Sequence, residues 1–241
     1  MISITYLFLQ EMIELLNKLP FNPDTLERFS YWQKNLLVYK TYIPRENTFT
    51  GKTEVIDSHE IREFTTLART HYDSFPPEKI EEQYKALKPI ILLTPLIIEK
   101  QTHTIVHELV HLLSSDYFDI DENSLTQRIG INRYVYIDIE GHYLSQHQLY
   151  PILNELMSDY IANILHTNML WESAVPRFRC FPFLKFDNYL NQCLHQNHFT
   201  PNEFIKAYFE FDEKTIIQIL QEDLASLESR CALAFSKHQS L

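Results

Sequence analysis

Glycine is nearly missing from this chain: Gly51, Gly130 and Gly141 are the only three in 241 residues. Loops that cradle phosphates, of the GxxxxGK[ST] or GxGxxG kind, need closely spaced glycines, and no such pattern occurs, so those nucleotide sites are excluded. Cysteine is scarce as well. Cys180, Cys193 and Cys231 are odd in number, widely spaced and without a CxxC pair, which leaves neither a disulfide framework nor a cysteine zinc site and reads as ordinary thiols in a reducing compartment. Basic clusters are missing too. A formal charge of −11 repels polyphosphate backbones, so no nucleic-acid partner is expected. The N-terminal stretch MISITYLFLQEMIELLNKLP is apolar but lacks a basic start, and Glu11 and Glu14 interrupt it. It reads as a helix rather than a signal peptide or a membrane span. A cytoplasmic protein is the expectation, although a bacterial effector exported by a dedicated machine would lack a leader in the same way.

What the chain does have is core material. Hydrophobic residues make up 45% and aromatics 13%, enough for one sizeable domain without covalent staples. No repeat is visible, and the proline-bearing joints at 20–23, 76–77 and 176–182 are short corners inside one unit. That unit divides into a mainly helical part (1–88), a central part (89–170) and a helical C-terminal subdomain (171–241). Apolar periodicity predicts helices over 5–19 and 24–40, the latter burying the side that carries Phe29, Tyr31 and Trp32, then a strand over 52–57 and helices over 58–70 and 77–87. The β-branched run 90–98 contains Pro95, which restricts it to an edge strand. A helix follows over 102–114. Alternating Val135, Ile137 and Ile139 predict a hairpin over 133–145, and Pro151 opens another helix. From Phe183 onward the chain reads as helix, with Thr200-Pro201-Asn202-Glu203 starting a new one.

The helix at 102–114 carries the chemistry. Its segment Thr104-Ile105-Val106-His107-Glu108-Leu109-Val110-His111-Leu112-Leu113 contains HExxH. Two histidines at i and i+4 project from one face a turn apart, so their imidazoles can converge on one cation. At about 100° per residue, His107, Glu108 and His111 occupy a sector roughly 100° wide, and aliphatic residues fill the rest of the occupied wheel. Burying these polar groups costs several kcal/mol unless they have partners, and a metal supplies them. Neutral imidazole suits zinc, and a carboxylate beside the ligands that cannot itself reach the metal can take a proton from water.

A hydrolytic zinc site takes three protein ligands. Downstream, Asn154-Glu155-Leu156-Met157-Ser158-Asp159 places two carboxylates one turn apart, opposite the apolar arc of their helix. One of them can ligate while the other accepts a ligand histidine's ring N–H. Asp138, Glu140, His142 and His147 lie between the two segments and could also ligate, Glu140 and His142 being the alternative third ligands, although alternating polar residues on a hairpin are usually its wet face. Tyr143, Tyr150, His195 and His198 are candidate donors to an oxyanion, and nothing in the sequence selects among them.

HELVH followed by NELMSD resembles the gluzincins, especially the thermolysin-like peptidases, whose pattern is HExxH and then NExxSD on a second helix. The resemblance covers two short segments of the chain, and the hairpin at 133–145 lengthens the spacer between them. It implies His107, His111 and Glu155 as ligands of one zinc ion, Glu108 as general base, and Asp159 as the carboxylate orienting His107. The fold expected is α+β: a zincin-like core with a small sheet and an active-site helix, mostly helical overall. The function expected is hydrolysis of a peptide or protein substrate. Two other classes stay open at this point, namely a non-catalytic zinc-binding regulatory protein that keeps the site, and a helical interaction module in which the motif is accidental.

Overall fold

Phe8, Leu9, Met12, Ile13 and Leu16 recur at helical spacing, and in the computed structural model they form the buried stripe of the first helix, α1 (Ile2–Leu16). The structure describes residues 2–35, 37–40, 44–46, 53–55, 90–93, 102–117, 124–139, 143–169 and 181–238. A second helix, α2 (Pro23–Asn35), starts where Pro23 suits the first turn and Asn22 Oδ1 accepts the Thr25 N–H at 2.8 Å.

The helix expected to run to residue 40 stops at Asn35. Leu37–Lys40 is instead a strand, β1, paired in parallel with β4 (Ile90–Leu93), Leu37 opposite Ile90. Leu-Val-Tyr suits a pleated surface as well as a helix, and the pairing partner lies far along the chain, beyond any local window. Phe29 and Trp32 are buried as expected, but Tyr31 is 49% exposed. Between them lies the antiparallel pair β2 (Pro44–Glu46) and β3 (Thr53–Val55), the latter inside the strand expected at 52–57. The helices expected at 58–70 and 77–87, and residues 94–98 with Pro95, lie outside the described residues.

Next come α3 (Thr102–Leu113) and a four-stranded antiparallel sheet, in the order β5 (Ser115–Tyr117), β6 (Ser124–Ile129), β7 (Asn132–Ile139) and β8 (Tyr143–Gln148). The expected hairpin is β7–β8, with Ile139 opposite Tyr143. β5 and β6 were not anticipated. Ser115-Asp116-Tyr117 is too short to show a period, and Ser124–Ile129 lacks the alternation that marks β7. Then α4 (Pro151–Asn168) packs against α3, and α5 (Phe181–Gln196), α6 (Pro201–Phe209), α7 (Glu213–Leu220) and α8 (Leu224–His238) complete the helical C-terminal part. Thr200 and Glu203 form the reciprocal capping box that opens α6. The described residues thus make a mostly helical α+β protein of eight helices, and none of these helices is long and apolar enough to cross a membrane.

Distant side chains complete three helix ends that the local sequence leaves open. Tyr150 precedes α4 without a side-chain cap, and Glu228 of α8 supplies one, accepting the N–H of Ile152 at 3.1 Å and of Leu153 at 2.7 Å. Arg28 of α2 does the converse at two C-termini: it donates to the carbonyl of Leu113, at the end of α3, and to that of Phe209, at the end of α6. It also pairs with Asp116 at 3.4 Å and lies over the Phe211 ring. Nearby, Phe21, Phe29 and Phe209 meet edge to face.

Replacing Arg28 by Met keeps the stem but strands two buried helix-end carbonyls. Urea unfolding should show a loss of about 2–3 kcal/mol, and a loss below about 0.5 kcal/mol would mean that water replaces the guanidinium at both helix ends.

Candidate metal centre

Helix α3 is buried almost all round. Ile105, Val106, Leu109, Val110, Leu112 and Leu113 are fully enclosed against α1, α2 and α4. Into this apolar setting the helix brings His103, His107 and His111, all buried, while Glu108 is the one residue from Ile105 to Leu113 that keeps partial contact with solvent. The i, i+4 spacing sets the rings of His107 and His111 edge to face, 4.6 Å between centroids, with their Nε2 atoms 3.0 Å apart.

The third group comes from α4. Glu155 Oε2 lies 3.2 Å from His107 Nε2, and Oε1 lies 3.2 Å from His111 Nε2. The candidate ligand atoms of the three residues all fall within 4.8 Å of one another, and no other His, Cys, Asp or Glu group among the described residues does this. Three electron-pair donors aimed at one spot repel each other unless a positive charge lies between them. Bonds of 2.0–2.1 Å in a tetrahedron would put ligand atoms about 3.3 Å apart, close to the separations found. His107, His111 and Glu155 can therefore hold a metal ion.

Without a metal, protons take its place. Burial alone would push the pKa of His111 down, but the charge and hydrogen bond of Glu155, with the charges of Glu108 and Asp159, together outweigh it and raise the value above the ordinary 6.5. Burial likewise pushes Glu155 up, and the charge of His111, with hydrogen bonds from both histidines, holds it well below the ordinary 4.5. The Glu155 side chain is still 55% exposed, against 6% for either histidine, so the site opens to solvent on the carboxylate side.

Around the triad the structure brings in groups that sequence reasoning placed differently or missed. Asp159 was expected off the apolar arc of its helix, yet it is 1% exposed, because the polar face of α3 packs over it. Its Oδ1 lies 3.8 Å from His107 Nδ1 and 3.9 Å from His103 Nδ1, within ion-pair range of both but too long for a hydrogen bond. His103 was missed, although its position four residues before His107 was a readable signal of a shared helix face. Asn154 and Ser158, which flank Glu155 on α4, place Nδ2 and Oγ at 3.4 and 3.2 Å from His111 Nδ1.

The alternative ligands Glu140 and His142 lie outside the described residues. Asp138 and His147 sit in β7 and β8, and Tyr143 begins β8. Tyr150 precedes α4, and His195 and His198 lie exposed at the end of α5. Cys193 and Cys231 are free, and burial pushes the Cys231 thiol up to about 11, which keeps it protonated and unreactive. Cys180 is outside the described residues. Comparison with protein-family models, with curated proteins and with solved structures finds no match to this chain.

The two shifts set a pH window. A raised His111 pKa adds stability that is complete below 6.5 and is lost as pH rises through the raised value; a lowered Glu155 pKa adds stability that is complete above 4.5 and is lost as pH falls through the lowered value. In chelator-treated protein the Tm advantage of wild type over Glu155→Gln should therefore peak between pH 4.5 and 6.5. A difference that is flat from pH 4 to 9, on the order of the titration range of both groups, would refute the pairing.

Proposed function

We propose that the chain is a zinc-dependent peptidase of the gluzincin type, with His107, His111 and Glu155 as the ligands. The observation that carries this reading is the shape of the donor set: two buried imidazoles from one helix and one carboxylate, half open to solvent, from the next. Structural zinc sites are closed by four protein ligands, whereas hydrolytic sites use three and leave a position free. The resemblance of HELVH and NELMSD to the thermolysin-like pattern supports the same assignment.

His107, His111 and Glu155 would hold a zinc ion, whose Lewis acidity would act on a peptide carbonyl and on a water molecule. Glu108 follows His107 directly and keeps partial contact with solvent. In this reading it takes the proton from the attacking water and returns it to the leaving amine. Asp159, buried beside His107, favours the orientation in which that ring presents Nε2 to the metal. The substrate is an extended peptide held by strand addition on β4, which among the described residues pairs on one side only, with β1.

Elemental analysis of protein purified without added metal should find about one zinc per chain, and sub-stoichiometric metal after zinc titration would end the peptidase reading. Glu108→Gln should keep the zinc and the fold but lose cleavage of any peptide-library substrate by about 100-fold or more. Wild-type protein that holds zinc yet cleaves nothing in the library would favour the regulatory alternative.

The two acids of α4 separate by chelator competition. Glu155→Ala should lose the most zinc affinity, and Asp159→Ala should lie between it and wild type, with a loss of about 10–100-fold. The reverse order, or unchanged affinity for Glu155→Ala, would transfer the third-ligand role to Glu140 or His142.

A further inference from the structure

A histidine that ligates through Nε2 must carry its proton on Nδ1, and the surroundings of Nδ1 set how readily it does so. His111 Nδ1 faces two groups of opposite tendency. The Asn154 side-chain amide N, 3.4 Å away, is a donor only and favours a bare Nδ1, which would put the proton on Nε2. The Ser158 hydroxyl, 3.2 Å away, can donate or accept. On the Nδ1 side the direction of the serine hydrogen therefore decides whether Nδ1–H finds an acceptor, while on the other side the Glu155 carboxylate, 3.2 Å from Nε2, favours Nε2–H until a metal takes the proton's place.

That direction is set from the C-terminal helices. Tyr208 of α6, buried completely, places its hydroxyl 2.7 Å from Ser158 Oγ and 3.0 Å from Asn154 Oδ1. Asn154 Oδ1 has no hydrogen and also accepts the Ile131 N–H at 3.3 Å, which holds the amide in this orientation. Tyr208 must then donate to Asn154, its oxygen accepts from Ser158, and the serine hydrogen is committed. Ser158 is left to accept from His111 Nδ1–H.

The two-residue turn between β6 and β7 leaves room for this contact. Gly130 sits there at φ +56°, and a Cβ on it would lie 2.3 Å from Tyr208 Cζ and Oη and 2.5 Å from Asn154 Oδ1. Glycine is required twice over, by the left-handed backbone and by the space.

We propose that Tyr208 is a positioning residue of the metal centre: acting through Ser158, it stabilises the Nδ1–H form that His111 must adopt to give its Nε2 lone pair to a metal. This inference rests on the reading of His111 as a metal ligand. It makes the C-terminal part of the chain a component of the site, through a hydroxyl that touches neither metal nor substrate.

The test follows the Nδ1–H proton of His111 in the zinc-loaded protein, assigned by its loss in His111→Gln. Its exchange with solvent should be slow in wild type and faster in Tyr208→Phe, which keeps the ring and removes the hydroxyl. Zinc affinity should fall by about 10–100-fold in Tyr208→Phe and in Ser158→Ala. On the Ser158→Ala background Tyr208→Phe should cost less than about twofold more, since the two act in series. Full additivity, or an unchanged exchange rate and affinity in Tyr208→Phe, would overturn the proposal. Should Tyr208→Phe not fold, Ser158→Ala cuts the same relay from its other end, and an unchanged affinity there would be equally fatal. If wild type takes up no zinc, the peptidase reading and this proposal fall together, whereas normal zinc uptake with unchanged variants overturns this proposal alone.

Discussion

Three electron-pair donors meeting at one point between two helices is the constraint on which this structure turns. His107, His111 and Glu155 bring their donor atoms to 3.0–3.2 Å of one another, a separation that is unfavourable without a proton or a metal between them. Because two of the donors ride on α3 and one on α4, the packing of those helices has to hold their relative positions to a fraction of an ångström. Apolar burial does most of that holding: α3 is enclosed by α1, α2 and α4, and its aliphatic residues have no exposure.

The remaining positional control comes from polar groups far away in sequence. Glu228 completes the first turn of α4 and so sets the start of the helix that carries Glu155. Arg28 ties the end of α3 to the end of α6, and Trp32 donates to the Ser115 carbonyl just past α3. Each contact satisfies backbone groups that a helix cannot satisfy by itself. Together they couple the first helices, the central part and the C-terminal helices into one support for the site.

Charge distribution around the triad is one-sided. The histidines and Asp159 are buried, whereas Glu155 and Glu108 keep solvent contact. A closed structural ion would need no such opening. The asymmetry places the half-exposed carboxylate between the deep imidazoles and the solvent.

The sequence by itself determined what depends on covalent periodicity. The i, i+4 spacing puts His107 and His111 on one face of a helix wherever that helix packs, and the same rule places Glu155 and Asp159 one turn apart on α4. The mostly helical class and the β7–β8 hairpin followed from apolar spacing in the same way. Tertiary structure alone decided what depends on a distant partner. Residues 37–40 became a strand because Ile90–Leu93 pairs with them, and Asp159 became buried because α3 covers it. Tyr208 and Glu228 were brought to the centre by helices that begin long after the motifs end. The physical reason is range: local geometry dictates which way a side chain points from its own helix, but only packing dictates what it meets there.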